Sequence, residues 1–207
     1  MSNDPVAVPT VRSLVVAAGL DATGAHAGDP TAAPATASEY RYDPERTVGL
    51  LARALARLHG LGVPTGAVPV LRPDDLVDRA RSAVAAGRTT ADLAPAYAHM
   101  APDRLVAALA DGVGPRRDAA PVLTHGAPTL ARLICADGAA VGFVGWDDAA
   151  VSDAYRDLAV AAADIAGTLG PMLVPVFFER YRDARSDLGA PDPVAVDWYV
   201  LAAQFGP

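Results

Sequence analysis

One stretch limits the folds open to this chain more than any other. In "YDPERTVGLLARALARLHGLGVP", Val48, Leu51, Leu55 and Leu58 recur three and four residues apart, the period of a helix that buries one face. Asp43 is placed to cap it, Pro44 suits a first helical turn, and Gly60 and Gly62 end it. Pro73 to Ala86, Thr90 to Met100 with Pro95 inside it, and Pro102 to Gly112 repeat the same spacing, so a helical body is predicted.

Either side of that body the pattern differs. "TVRSLVVAAG", Thr10 to Gly19, is a β-branched run ending at glycine and reads as a strand. From Leu20 to Ser38, small residues, Gly and Pro predict a poorly ordered connection. After Gly112, short apolar runs at Leu130 to Ala136 and Ala140 to Val144 flank Asp137-Gly138, which predicts a hairpin. A helix capped near Ser152 follows, then helices from Met172 to Leu188 and from Asp192 to Phe205. The expected fold class is mainly α with a small β-hairpin centre (α+β). Residues 1–39 make a strand plus flexible segment, and residues 40–207 a helical lobe.

Composition narrows the chemistry. With 207 residues, 52% of them hydrophobic, the chain can bury a sizeable core. A formal charge of -7 disfavours nucleic acid, whose phosphates demand a basic face. No apolar run approaches the roughly 20 residues of a membrane span, and "MSNDPVAVPT" lacks the features of a signal peptide, so a cytoplasmic protein is expected. The lone Cys135 reads as a small apolar core residue, and the four histidines share no zinc-ligand spacing. There is no lysine: all 17 basic residues are arginine, and the only asparagine is Asn3. Chemistry that needs a lysine, or an asparagine deep in the sequence, is excluded. The wealth of Ala, Arg, Gly, Pro and Asp has the look of a GC-rich bacterial genome.

Four motifs, in order, carry a resemblance. "LARLHGLGVP", "LTHG" at Leu123 to Gly126, "VGFVGW" at Val141 to Trp146 and "VSDAYRDLA" at Val151 to Ala159 are similar to the helix end, catalytic loop, metal-binding strand and following helix of the aminoglycoside phosphotransferase family. The resemblance runs from about Tyr40 to Phe205 and implies a protein-kinase-like C-terminal lobe. It also implies a truncated or vestigial nucleotide lobe, since a five-stranded sheet with one helix takes roughly 65 to 75 residues. Only about forty precede the first clear helix, without a Gly-x-Gly-x-x-Gly.

Carried over position by position, the resemblance fails where the chemistry lies. The family's catalytic Asp falls on Ala127, its metal-binding Asn on Arg132 and its metal-binding Asp on Gly145. A methyl group accepts no proton, glycine offers no carboxylate, and a guanidinium repels a divalent cation. His125 falls on the histidine that braces the loop, and Asp157 on the acid that accepts from the loop's backbone amides. Asp147 and Asp148 are the acids nearest the lost metal site, and Trp146 beside them lines a cleft or covers the hairpin. His59 reads as a partner for the dipole at a helix C-terminus or as a packing residue there. Asp187, Asp192 and Asp197 lie where the resembled family builds a cleft for cationic substrates.

The leading expectation is therefore a catalytically inactive, phosphotransferase-like protein that needs no cofactor and binds a small cationic molecule or a protein partner. Loss of a lobe exposes apolar surface, so a homodimer is expected. One alternative is an active ATP-dependent phosphotransferase using Asp147 and Asp148 with ATP and magnesium. Others are a different enzyme built in the old cleft around His125, and a decayed fragment that melts without cooperativity.

Overall fold

The structure is a computed structural model and describes residues 10–23, 31–62, 66, 68–89, 92–187 and 189–206. Its centre is the helix the sequence announced most clearly, Pro44–His59. Asp43 Oδ1 accepts the Arg46 N–H at 3.1 Å, and Val48, Leu51, Leu55 and Leu58 are fully buried.

The N-terminal run is a helix, α1 (Val11–Ala17), and not a strand. Thr10 caps it, its hydroxyl accepting from the Ser13 amide at 3.2 Å. Val11, Leu14, Val15 and Ala18 turn to the core, a helical spacing that the β-branched composition concealed. Much of the expected loose connection is also placed. The Phe143 amide donates to Leu20 O at 2.7 Å, and Ala22 donates back to Phe143 O at 2.9 Å. β1 (Ala33–Pro34) pairs antiparallel with β3 (Leu133–Ala136), Ala33 opposite Cys135, and α2 (Ser38–Arg41) leads into α3 (Pro44–His59). The hairpin's open edges supply the reason, since unpaired backbone groups there take up neighbouring chain. The part of that connection at 24–30 lies outside the described residues. Gly142 is required where Leu20 crosses, because a Cβ there would meet Leu20 O at 2.3 Å.

α4 (Pro73–Ala85) and α5 (Pro102–Gly112) form as expected, but no α-helix covers residues 92–100. Those residues make successive tight turns, with Tyr97 donating to Ala94 O and Met100 to Tyr97 O. Pro95, without an N–H, breaks the helix the spacing suggested; Thr90 and Ala91 lie outside the described residues. β2 (Pro121–Thr124) was not anticipated. It pairs antiparallel with β5 (Ala150–Asp153), Thr124 opposite Ala150. Between them runs the expected hairpin of β3 and β4 (Ala139–Phe143), closed by Asp137 at φ 51 and Gly138 at φ 72. Two consecutive positive φ angles are the two-residue turn that the dipeptide favours.

Ser152 is in β5 and not at a helix start; its hydroxyl donates to Leu71 O at 2.8 Å, and α6 (Tyr155–Thr168) begins three residues later. α7 (Val174–Ala184) is shorter than Met172 to Leu188, because Arg185 leaves helical geometry at φ -143. In α8 (Pro193–Ala202), Asp192 caps the first turn through the amides of Val194 and Ala195, and one tighter turn carries the chain to Phe205. α7 packs along α3 and α8 along α6. Val15, Leu20 and Ala35 share one core with Leu51, Phe143, Phe177 and Tyr181, so the described part of residues 1–39 belongs to the same body as the helical lobe. No helix among the described residues is long and apolar enough to cross a membrane.

Candidate functional site

The β2–α6 junction brings "LTHG" and "YRDLA" together. Asp157 on the first turn of α6 is fully buried. Its Oδ2 accepts the His125 amide at 2.7 Å and its Oδ1 the Gly126 amide at 2.7 Å. Oδ2 also takes His59 Nε2 at 3.0 Å, and His59 Nδ1 meets the Tyr181 hydroxyl at 2.7 Å. Burial pushes the Asp157 carboxyl upward, but the bond and charge of His59, with His125 behind, outweigh it and hold the group below its usual range. Asp157 thus fixes the loop's backbone, as expected. His59 is not a simple packing residue, for it ties Asp157 to α7. Tyr181, 122 positions from His59, was beyond sequence reasoning.

Both imidazole nitrogens of His125 are spent on backbone. Nε2 lies 3.1 Å from Val144 O, and Nδ1 accepts the Ala127 amide at 3.3 Å, an arrangement that requires the neutral ring with its proton on Nε2. Burial, first of several causes, lowers the ring's pKa. His125 therefore braces the loop against the hairpin and has no lone pair left for a substrate. Trp146 covers the same place: its ring packs 4.6 Å from that of His125 and its Nε1 donates to Phe143 O at 3.1 Å.

Of the three positions that the resemblance ties to phosphoryl transfer, Arg132 and Gly145 meet, with other contents. Ala127 is half-buried and bonds through its backbone. Arg132 Nη1 donates to Gly145 O at 3.2 Å, and a Cβ built on Gly145 would stand 3.4 Å from Nη1 and 3.5 Å from Cζ. The guanidinium thus lies against the strand end at the position to which the resemblance assigns a metal-binding acid, and Gly145 sits at φ +77, a conformation that side chains rarely adopt. These residues do not fit a divalent cation.

Asp147 is exposed and Asp148 half-buried. Asp148 stands against the loop, its Cβ only 2.7 Å from where a Cβ on Gly126 would lie. Beside it Arg156, unremarked in the sequence although adjacent to Asp157, is buried and donates to Thr124 Oγ1 at 2.9 Å. The cavity bounded by Gly126, Arg156, Tyr199 and Gly206 is about 30 Å³, room for one water. Of the acids expected to meet a cation, Asp187 pairs with Arg185, and Asp192 with Arg116 at 2.8 Å; Asp197 is exposed on α8. Cys135 is buried in β3, its thiol pushed up to about 11 by burial, and serves the core.

The fold is similar to that of an aminoglycoside-3'-phosphotransferase of type VIII, at a TM-score of 0.72 and 22% identity over 84% of this chain and 65% of that one. It is similar also to the aminoglycoside phosphotransferase of Streptomyces rimosus solved with ADP and streptomycin, at 0.70 and 26% over 84% and 66%. A choline/ethanolamine kinase family protein from Mesorhizobium loti matches at 0.56 and 18% over 87% and 58%. The chain spans just under two thirds of the length of either aminoglycoside enzyme. Residues 2–196 match the phosphotransferase enzyme family, and with the kinase-like fold and loop architecture described above, the chain belongs to that family.

Proposed function

We propose that this member of the phosphotransferase family does not transfer phosphate and acts by binding a small molecule or a protein partner. One observation carries the reading: the guanidinium of Arg132 lies against Gly145 in place of the metal-binding pair. Phosphoryl transfer is positioning and charge, and it depends on metal ions that bridge the phosphate oxygens. A chain that holds an arginine there, an alanine at the acceptor-orienting position and no lysine has lost each of those supports. The cationic ligand expected from the acidic helices is weakly supported, since Asp187 and Asp192 already have arginine partners.

A second reading has one observation in its favour. Asp148, half-buried against Gly126, is near enough to the loop to orient an acceptor hydroxyl in place of Ala127, with ATP and magnesium as cosubstrates. The test is ATP turnover with magnesium and an aminoglycoside acceptor, measured as phosphate transferred or released. The expected result is no rate above the buffer background. Turnover that requires magnesium and disappears in Asp148→Ala overturns the binding reading and selects the second one. The third reading, a different reaction on His125, finds no free imidazole nitrogen.

A further inference from the structure

Arg132 is a half-buried cation that no acid answers. No carboxylate of the described residues forms an ion pair with it, and its one side-chain bond is that from Nη1 to Gly145 O. Neither Nε nor Nη2 is among the buried nitrogens without a partner, so both reach solvent. Those two N–H groups form the side-on fork of a guanidinium, the edge that takes two oxygens of one oxyanion at once. The group cannot turn freely, because Gly145 lies under its face and Nη1 is tied.

The charge balance points the same way. In the resembled pattern an Asn at 132 and an Asp at 145 hold the divalent cation, and the catalytic Asp stands at 127. Here neither carboxylate is present, and at Gly145 the guanidinium of Arg132 brings a positive charge of its own. Asp148 stands against Gly126 beside Arg156, and Asp147 is exposed. Arg132 is also near enough to His125 for its charge to help lower the imidazole's pKa, behind burial and against the charges of Asp157 and Asp148.

We propose that Arg132 is an oxyanion seat: its Nε and Nη2 edge takes a phosphate group of a small ligand directly, with no divalent cation between them. The proposal rests on the binding reading above and gives that ligand its charge. The test is a titration of ¹⁵N-labelled protein with inorganic phosphate in EDTA, following the Nε–H resonance of Arg132, with acetate as a parallel arm. The expected result is a saturating shift of that resonance with phosphate, unchanged when magnesium replaces EDTA. By calorimetry, affinity for phosphate falls at least tenfold in Arg132→Gln and in Arg132→Lys, which keeps the charge but not the fork. The conservative lysine variant keeps the test open should the glutamine variant fail to fold. A shift that grows linearly without saturation, one that requires magnesium, or variants that bind phosphate as tightly as the unaltered protein overturn the seat. Saturation by acetate with none by phosphate overturns the phosphate assignment. ATP turnover would remove the binding reading itself; no turnover together with no phosphate binding removes the seat alone.

Discussion

At the scale of single residues, the loop is held by groups whose protonation is fixed by their neighbours. His125 is the clearest case, because its two ring nitrogens serve backbone groups only while it is neutral. Burial lowers its pKa in the fold from an ordinary value near 6.5, so between the folded value and 6.5 the unfolded chain binds more protons than the native one. Stability then rises with pH through that window and is lost as pH falls below about 6.5. Asp153 gives the opposite sign: burial raises its carboxyl, so the stability it contributes at low pH is lost as pH rises through its folded value, starting from about 3.9. Urea midpoints measured between pH 5 and 7 are expected to rise with pH, and the rise to vanish in His125→Gln. A slope unchanged in that variant would place the proton elsewhere.

At the scale of elements, α5 and α8 meet with no slack. A Cβ on Gly112 would lie 2.6 Å from Trp198 Cδ1, and the indole cannot retreat while its Nε1 donates to Leu109 O at 3.0 Å. Gly112→Ala is therefore expected to destabilise by about 1–2 kcal/mol, the overpacking cost exceeding the roughly 1 kcal/mol that alanine gains in a helix. Thermal melting of the variant decides it; an unchanged or raised Tm shows that the ring yields. What the sequence allowed to be read divides along the same lines. α3 and the β3–β4 hairpin were legible because their signals are local: a cap, a 3.6-residue period, an Asp-Gly turn. The β2–β5 ribbon was not, because its strands are four residues each and pair across 26 positions. α1 was misread because Val11, Val15 and Val16 suggest a strand by composition, while only burial shows that Leu14, Val15 and Ala18 share one face. Of the site, the replaced positions and the roles of His125 and Asp157 could be read by resemblance. The bonds of His59 to Asp157 and Tyr181, and of Arg132 to Gly145, are contacts between distant segments that no spacing encodes.

At the scale of the molecule, residues from the first forty are built into the core and not appended to it. Leu20 and Ala35 are each 1% exposed, and the backbone at Leu20 and Ala22 is bonded to Phe143. A single cooperative transition is expected, with near-ultraviolet and far-ultraviolet circular dichroism melting together. Two separated transitions would show that the N-terminal segment comes away first, and a broad uncooperative melt would return the chain to the reading of a decayed fragment. The contact between Arg132 and Gly145 also fixes the order in which the acids of the resembled pattern can be installed. Ala127 is half-buried and bonded through its backbone, so an acid installed there breaks no side-chain hydrogen bond. An acid at 145 has to adopt a φ near +77 and emerges 3.4 Å from Arg132 Nη1, where it becomes the arginine's counter-ion and is lost to any metal. On the binding reading, a route to phosphoryl transfer therefore has a direction: the guanidinium has to leave before the second carboxylate is of any use, and a chain given its acids in the other order gains an internal ion pair and no metal site.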